Sequence, residues 1–128
     1  MLPFIDTSVF IDALRGHPSA GRLLEQLRHR GALQSSEVVR TELLIGMRPH
    51  EERGTEDLFR AVTWHPVDHA VARLAGELGR QWKRSHRHID TSDFIIGATA
   101  TLLGAQLVTK NIRHFPMFPD LTSPYEYS

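Results

Sequence analysis

Strand-like and helix-like segments alternate along the whole sequence, and this alternation limits the fold more than any other feature. Strands are expected at 2–5, 32–34, 61–65 and 107–108. Apolar residues at helical spacing predict the helices between them, at 9–14, 23–30, 37–47, 51–60, 68–82 and 90–103. Such alternation is typical of a parallel sheet with helices on both faces. The predicted fold class is α/β, with four strands and room for a fifth, edge strand in the proline-rich tail at 114–119.

Length and composition indicate one compact domain, assigned to residues 1–128. A chain of 128 residues has room for one hydrophobic core. It contains no cysteine, which excludes disulfides, cysteine zinc sites and thiol nucleophiles. No stretch approaches the roughly 18 apolar residues of a membrane-spanning helix, and no basic segment precedes the short apolar run at the start. A cytoplasmic location without membrane association is therefore expected.

The charge balance limits how the protein can contact nucleic acid. Its 15 Lys and Arg residues are matched by 15 Asp and Glu residues, so the formal net charge is zero. Binding by bulk positive charge needs an excess of basic residues. Any contact with nucleic acid must therefore be local. The eight histidines have no cysteine or compact ligand set beside them, so we expect them at the surface and not around zinc.

Asp6 directly follows the first expected strand and precedes Thr7 and Ser8. Ligands of doubly wound sheets bind at the carboxyl ends of the strands, so this position favours a functional carboxylate. The alternative is a cap for the helix that follows, because Asp is also preferred at helix N-termini. The sequence leaves both roles open for Asp6.

Glu42 lies on the apolar stripe of the helix expected over 37–47. At about 100° per residue, it shares one arc of the helical wheel with five small or apolar residues. These are Val38, Val39, Leu43, Ile45 and Gly46. An ionised carboxylate in a buried stripe is costly unless a cation or a buried arginine meets it. The position therefore indicates a metal ligand or, alternatively, an internal salt bridge.

Asp93 begins the most apolar helix of the chain, which runs to Leu103 and ends at Gly104. Small residues at 97, 100 and 101 continue its face, and we expect them to leave space for a ligand. The alternative is a capping box formed by Asp90 and Asp93. Asp90 itself is expected to be the cap.

Three carboxylates from separate segments, Asp6, Glu42 and Asp93, form a candidate constellation. Hard divalent cations such as Mg²⁺ and Mn²⁺ prefer oxygen ligands and bind through a few carboxylates together with water and substrate phosphate. Such an ion activates water for attack and stabilises a leaving oxygen. The constellation therefore favours hydrolysis of phosphodiester bonds.

Four sequence blocks, in this order, resemble the PIN-domain ribonucleases and, within them, the VapC toxins of bacterial VapBC toxin–antitoxin pairs. The blocks are Asp6–Val9, Thr41–Gly46, Asp90–Ala100 and Leu107–Phe115. No single block is specific, but the order and spacing of all four fit over essentially the whole chain.

The resemblance implies a PIN-like three-layer α/β/α sandwich with a central parallel sheet of four or five strands. It implies a Mg²⁺- or Mn²⁺-dependent endoribonuclease that acts as a toxin on an RNA substrate. Asp6, Glu42 and Asp93 match the first three acids of the family, so the resemblance makes them the catalytic and metal-binding residues. It also implies a homodimer and inhibition by a cognate VapB-type antitoxin.

The sequence departs from the family pattern at the fourth acidic position, where Asn111 stands. An amide oxygen can hold a water or ligate a metal weakly, but it adds no charge. The number of bound ions, one or two, is therefore left open. Ser8 and Thr109 lie where the family places hydroxyls, and with Asp90 they are expected to support the three acids.

Basic side chains cluster just before Asp90 and on either side of Asn111. The run 80–88 leads towards the expected site, with Arg87 or His88 at its mouth. The candidates for contact with RNA phosphates are Lys83, Arg84, Arg87, Lys110 and Arg113. The alternative for the run 80–88 is a solvated helix end, where cations suit the helix dipole.

Two other functions compete with the nuclease. A phosphoacceptor receiver domain has similar length and strand-end acids, and Thr109-Lys110 faintly suggests it. It should carry an acid pair after the first strand and a lone Asp after the third, where this chain has Asp6 alone and 64–66 reads Trp-His-Pro. The second competitor is a catalytically inactive PIN scaffold that binds RNA or a protein partner, which Asn111 makes conceivable.

Overall fold

The structure is a computed structural model that describes residues 1–127. Four strands occupy Pro3–Ile5 (β1), Leu33–Ser36 (β2), Val62–His65 (β3) and Gln106–Val108 (β4). Six helices occupy Thr7–Leu14 (α1), Pro18–Arg30 (α2), Glu37–Gly46 (α3), Glu52–Arg60 (α4), His69–Trp82 (α5) and Thr91–Leu103 (α6). Short 3₁₀ turns lie at Pro49–Glu51 and Ile112–His114. The predicted domain 1–128 ends at Ser128, which lies outside the described residues.

The four strands form one parallel sheet in the order β3-β2-β1-β4. Phe4 of β1 pairs with Gln34 on one side and with Leu107 on the other, so β1 lies inside the sheet. The six helices flank this sheet, which confirms the predicted α/β class and the central parallel sheet of four strands. Because all four strands run in the same direction, their carboxyl ends meet at one edge.

The predicted edge strand at 114–119 is wrong. The sheet has four strands, and after β4 the described part of the chain forms a 3₁₀ turn and irregular structure. Pro116 and Pro119 lack the backbone N–H that a ladder needs. Phe115 is instead 1% exposed in the core, with Met117 and Phe118 packed against it.

Helix α6 is buried on nearly all sides from Asp93 to Ala100, in agreement with its apolar sequence, and its last turn is exposed. The predicted space for a ligand beside its small residues is absent, which corrects that expectation. A Cβ at Gly97 would lie 3.6 Å from both Met117 Sδ and Phe118 Cε2. Ala100 is fully buried in the core, and the Thr101 hydroxyl donates to the carbonyl of Gly97 at 2.8 Å. Small residues here permit close packing and make no pocket.

The buried face of α3 is narrower than the helical wheel predicts. Val39 and Leu43 are buried, but Ile45 is 81% exposed and Gly46 is also exposed. Glu42 is half-buried at the border of this face. The wheel therefore placed Ile45 and Gly46 wrongly, because it treats the last turn as though it packed like the first. None of the helices in residues 1–127 is long and apolar enough to cross a membrane.

Candidate active site

A pocket of about 180 Å³ at the carboxyl edge of the sheet brings the predicted acids together. Asp6 lies one residue after β1, Glu42 comes from α3, and Asp93 lies in the first turn of α6. Other polar side chains that line the pocket are Thr7, Ser8, Asp90, Ser92, Asn111 and His114. Segments far apart in sequence thus meet here because the parallel sheet gathers its strand ends at one edge.

Asp6 is 3% exposed and is held by two hydroxyl groups. Its Oδ2 accepts hydrogen bonds from Ser8 Oγ at 2.9 Å and from Thr109 Oγ1 at 2.6 Å. Asp6 occupies the N-cap position of α1, but its side chain makes no capping hydrogen bond. The carboxylate therefore points to the pocket and does not cap the helix.

Ser8 and Thr109 also connect Asp6 to the segment after β4. Ser8 Oγ accepts from the backbone N–H of Lys110 at 3.1 Å, and Thr109 Oγ1 accepts from that of Asn111 at 2.9 Å. These bonds fix the hydroxyl positions, so each can present its hydrogen to the carboxylate. The structure thus places Ser8 and Thr109 as orienting groups for Asp6.

Glu42 enters the pocket from the side of α3. Its Oε1 accepts a hydrogen bond from Thr7 Oγ1 at 2.8 Å. Partial burial raises the pKa of Glu42, and the negative charges of Asp6 and Asp93 raise it further, against the hydroxyl hydrogen bonds that lower it. Within residues 1–127 no basic side chain forms an ion pair with Glu42. The internal salt bridge, the alternative from sequence, is therefore not found there.

Asp93 is 8% exposed and has two partners. Its Oδ2 accepts from the backbone N–H of Asp90 at 3.0 Å and lies 3.2 Å from His114 Nδ1. Burial raises the pKa of Asp93, while these two contacts oppose the rise. Asp90 is the N-cap of α6, as predicted. The Asp93 carboxylate therefore forms the capping box with Asp90 and also lines the pocket, so the two roles expected from the sequence are compatible.

His114 is a site residue that sequence reasoning missed. All eight histidines were expected at the surface, yet the side chain of His114 is 33% exposed and pairs with Asp93. The pair joins the 3₁₀ turn after β4 to the start of α6. Its only sequence signal is its position in the last of the four blocks, because spacing alone does not show which histidine returns to the site.

The predicted RNA-contact residues fall into two groups. Lys83 Nζ donates to the backbone carbonyls of Arg87 and Ile89, and Lys110 Nζ donates to Ser123 Oγ and the Tyr125 carbonyl. These two ammonium groups are therefore engaged within the chain. The other group, Arg84, Arg87 and Arg113, is exposed.

The pocket suits a hard cation that keeps part of its water shell. Its acidic oxygens raise one another's pKa at Glu42 and Asp93, so a positive charge placed among them would be stabilised. In residues 1–127, however, no three His, Asp or Glu side chains converge closely enough to hold an ion by themselves. The donor set fits Mg²⁺ or Mn²⁺, which bind through one or two carboxylates with water and phosphate oxygens.

Comparison with known proteins assigns the chain to a family. The PIN domain family matches residues 4–118. Ribonuclease VapC19 of Mycobacterium tuberculosis is 47% identical over 125 residues, which cover 97% of this chain and 100% of VapC19. The match to the PIN domain over most of the chain excludes the receiver-domain alternative.

Two solved structures share the fold over nearly their whole length. A toxin–antitoxin complex from Klebsiella pneumoniae superposes with a TM-score of 0.80 and 25% identity, covering 97% of this chain and 98% of that one. VapBC2 from Rickettsia felis, bound to a DNA fragment from its promoter, superposes with a TM-score of 0.78 and 26% identity. The match covers 96% of this chain and 97% of that one. The chain therefore belongs to the PIN-domain family, in the group of the VapC ribonucleases.

Proposed function

We propose that this chain is the endoribonuclease toxin of a VapBC toxin–antitoxin pair, with Mg²⁺ or Mn²⁺ as its cation. The observation that carries the proposal is the convergence of Asp6, Glu42 and Asp93 in one strand-end pocket. The relative VapC19 is named a ribonuclease, and the related solved structures are toxin–antitoxin complexes. PIN-domain VapC ribonucleases generally depend on divalent metal ions.

Asp6, Glu42 and Asp93 would hold the cation. When bound, a divalent cation supplies an activated water nucleophile and stabilises the departing oxygen of the phosphodiester. The chain supplies the pocket and the fixed carboxylate positions. Thr7 orients Glu42, and His114 orients Asp93. These contacts keep the acids in place before the ion and the RNA arrive, so less reorganisation is needed during reaction.

RNA contacts in this proposal are local, in keeping with the zero net charge. The exposed guanidinium groups of Arg84, Arg87 and Arg113 are the primary candidates, because arginine can bind a phosphate through two parallel hydrogen bonds. Lys83 and Lys110 are secondary candidates. Their ammonium groups already bond to carbonyl oxygens and would have to leave them to reach RNA.

A cognate VapB-type antitoxin and a homodimer complete the proposal. The related toxin–antitoxin complexes support the antitoxin, and the homodimer follows from the family resemblance. Exposed apolar side chains, including Leu44 and Ile45 on α3 and Leu102 on α6, offer surface for such contacts. The cytoplasmic location expected from the sequence belongs to this proposal as well, because that is where a toxin of this class would meet RNA.

The second candidate function is a catalytically inactive PIN scaffold that binds RNA or protein. Two observations favour it. Asn111 replaces the fourth acid, and the described residues hold no compact set of three metal-binding side chains. Cation binding separates the two functions, because a scaffold has no need of an ion at Asp6, Glu42 and Asp93.

The test is cleavage of a pool of single-stranded and structured RNA by the purified chain with Mg²⁺, Mn²⁺ or EDTA. We expect cleavage with either ion, none with EDTA, and none with Asp93→Ala. Asp57→Asn is the matched control, because Asp57 is an exposed aspartate that pairs with Arg60 on α4. If the wild type cleaves no RNA and calorimetry detects no bound ion, the scaffold replaces the nuclease.

A further inference from the structure

A second pocket, of about 390 Å³, adjoins the candidate active site. It shares Asn111 and His114 with that site, and its other lining residues are His88, Lys110, Ile112 and Arg113. We call it the histidine pocket. Among residues 1–127 no acidic side chain lines the histidine pocket, whereas four line the active site: Asp6, Glu42, Asp90 and Asp93. A ligand with a phosphodiester in the active site would therefore extend into a pocket of neutral and basic groups.

Histidine rings form a row that leads from α5 to the active site. The ring centroids of His86 and His88 are 5.9 Å apart, and those of His88 and His114 are 5.5 Å apart. Trp82, the last residue of α5, contacts His86 with a centroid distance of 5.4 Å. These distances lie within the range of aromatic contacts, about 4.5–7 Å. Because His114 pairs with Asp93, the row ends at an acid of the active site.

The ring of His88 is both exposed and fixed. Its Nε2–H donates to the backbone carbonyl of Arg113 at 3.0 Å, which holds the ring against the 3₁₀ turn. An exposed ring that is already held loses little side-chain entropy when a ligand stacks on it. His88 thus has the properties of a stacking platform at the wall of the histidine pocket.

Arg113 adds a cation to the same wall. It is exposed and lines the pocket, and its carbonyl is the group that holds His88. Lys110 also lines the pocket, but its ammonium group bonds to the Tyr125 carbonyl and lies over the Tyr127 ring. The pocket therefore pairs an aromatic face with a guanidinium group, and a nucleotide offers a base and a phosphate to match them.

We propose that the histidine pocket binds the RNA nucleotide next to the scissile phosphodiester, with its base stacked on His88 and its phosphate bound by Arg113. This inference rests on the proposed ribonuclease function. It requires the RNA substrate to be unpaired at that nucleotide. A base inside a duplex is stacked on its neighbours and cannot lie on a side chain. His88 contacts no reacting atom, so it is a positioning residue that acts through RNA binding.

The first test is binding, measured without cleavage. The probe is a fluorescein-labelled pool of single-stranded RNA of about 12 nucleotides, titrated with protein in EDTA and followed by anisotropy. We expect His88→Ala to raise Kd about tenfold, as loss of one base–aromatic stack does. His88→Phe retains a ring and should bind within about threefold of the wild type. His29→Ala, at an exposed histidine of α2, should bind as the wild type does.

The second test locates the stacked base. An RNA that the protein cleaves is prepared with an abasic nucleotide at each position in turn. At one position beside the cleavage site, base removal should weaken binding by the wild type about tenfold and binding by His88→Ala hardly at all, because the two changes remove the same interaction. In cleavage assays His88→Ala should raise KM and leave kcat within about twofold.

The outcomes separate this inference from the proposed function. If His88→Ala binds RNA as tightly as the wild type does, the pocket assignment is overturned. It is also overturned if His88→Ala and His88→Phe weaken RNA binding equally, because the role of His88 would then lie in its hydrogen bond to Arg113 and not in stacking. In both cases metal-dependent cleavage by the wild type leaves the ribonuclease in place. RNA binding that depends on the His88 ring, without cleavage in Mg²⁺ or Mn²⁺, rejects the ribonuclease and retains the stacking.

Discussion

Glu42 and Glu51 line one small cavity beside α1, yet the protein treats these two carboxyl groups in opposite ways. Glu51 Oε1 accepts from the backbone N–H of Arg48 at 2.9 Å, and Oε2 lies 3.6 Å from Arg15 Nε. The backbone hydrogen bond and the two arginine charges hold the pKa of Glu51 below its usual value. Its negative charge is therefore satisfied within the chain.

In the described part of the chain, Glu42 has no arginine or backbone N–H partner of this kind. It receives hydroxyl hydrogen bonds, but burial and the charges of Asp6 and Asp93 raise its pKa. The contrast shows how a functional carboxyl group differs from a structural one in this fold. Glu51 stabilises the 3₁₀ turn Pro49–Glu51 that precedes α4, whereas no basic side chain within residues 1–127 meets the charge of Glu42. A perturbed carboxyl group in a cleft, next to other acids, is typical of a functional site.

The largest expected effect is on cleavage of RNA. Glu42→Gln preserves shape but removes a negative charge from the proposed cation site, so we expect at least about 100-fold slower cleavage, since a cation contributes several kcal/mol to such reactions. Glu51→Gln is the matched control and should cleave within about threefold of the wild type, because the polar partners of Glu51 are Arg48 and Arg15, which do not line the active-site pocket. Similar losses in both variants would break the distinction between the two glutamates.

The next effect is stabilisation by a cation. A divalent ion that binds the folded chain at 100 times its Kd adds about 2.7 kcal/mol to the free energy of unfolding. For a domain of this size that is on the order of 10 °C in Tm. Thermal unfolding with Mg²⁺ or Mn²⁺ against EDTA measures it. The wild type and Glu51→Gln should show the full rise and Glu42→Gln less than half of it. Equal rises in all three would place the ion elsewhere.

The sequence predicted the fold well because the fold depends on local patterns. The structure contains the predicted alternation of strands and helices. It also has Asp90 as the N-cap of α6 and ends that helix at Gly104. The positions of Asp6 and Asp93 in the pocket could be predicted for the same reason, since each stands at the end or the start of a recognisable element. Local signals suffice where a residue's role follows from its own segment.

The remaining features depend on contacts between distant segments, which no local pattern records. Ile45 is exposed because nothing in residues 1–127 covers the last turn of α3, although the wheel groups it with buried residues. His114 reaches Asp93 only because the tail turns back after β4. Lys110 is held by Tyr125, another residue of the tail. The tail was expected to add a strand, so these partners could not be foreseen.

A smaller effect concerns Glu51 itself. Its folded pKa lies below the unfolded value, so its contribution to stability is present above that value and is lost as the pH falls through the folded pKa. Glu51→Gln should therefore unfold at lower denaturant concentration than the wild type at pH 7, and the gap should close in acid. Urea unfolding across that range measures the gap. A gap that stays constant with pH would mean that packing, and not the ionised carboxylate, stabilises this turn.

The smallest effect is the stability of Glu42→Gln without a cation. The folded pKa of Glu42 lies above its unfolded value, so ionisation destabilises the folded chain as the pH rises from the unfolded to the folded pKa. In EDTA at pH 7, Glu42→Gln should be more stable than the wild type by a few tenths of a kcal/mol, because water screens a half-exposed carboxylate. At pH 4 the Glu42 side chain is largely neutral, like the Gln that replaces it, and the difference in stability should vanish.

Urea unfolding at the two pH values tests this prediction. Glu51→Gln is the control, because at pH 7 it should be less stable than the wild type, whereas Glu42→Gln should be more stable. A Glu42→Gln chain that is less stable than the wild type at pH 7 would show that the Thr7 hydrogen bond outweighs the charge, and the contrast between the two glutamates would then lie only in their metal binding.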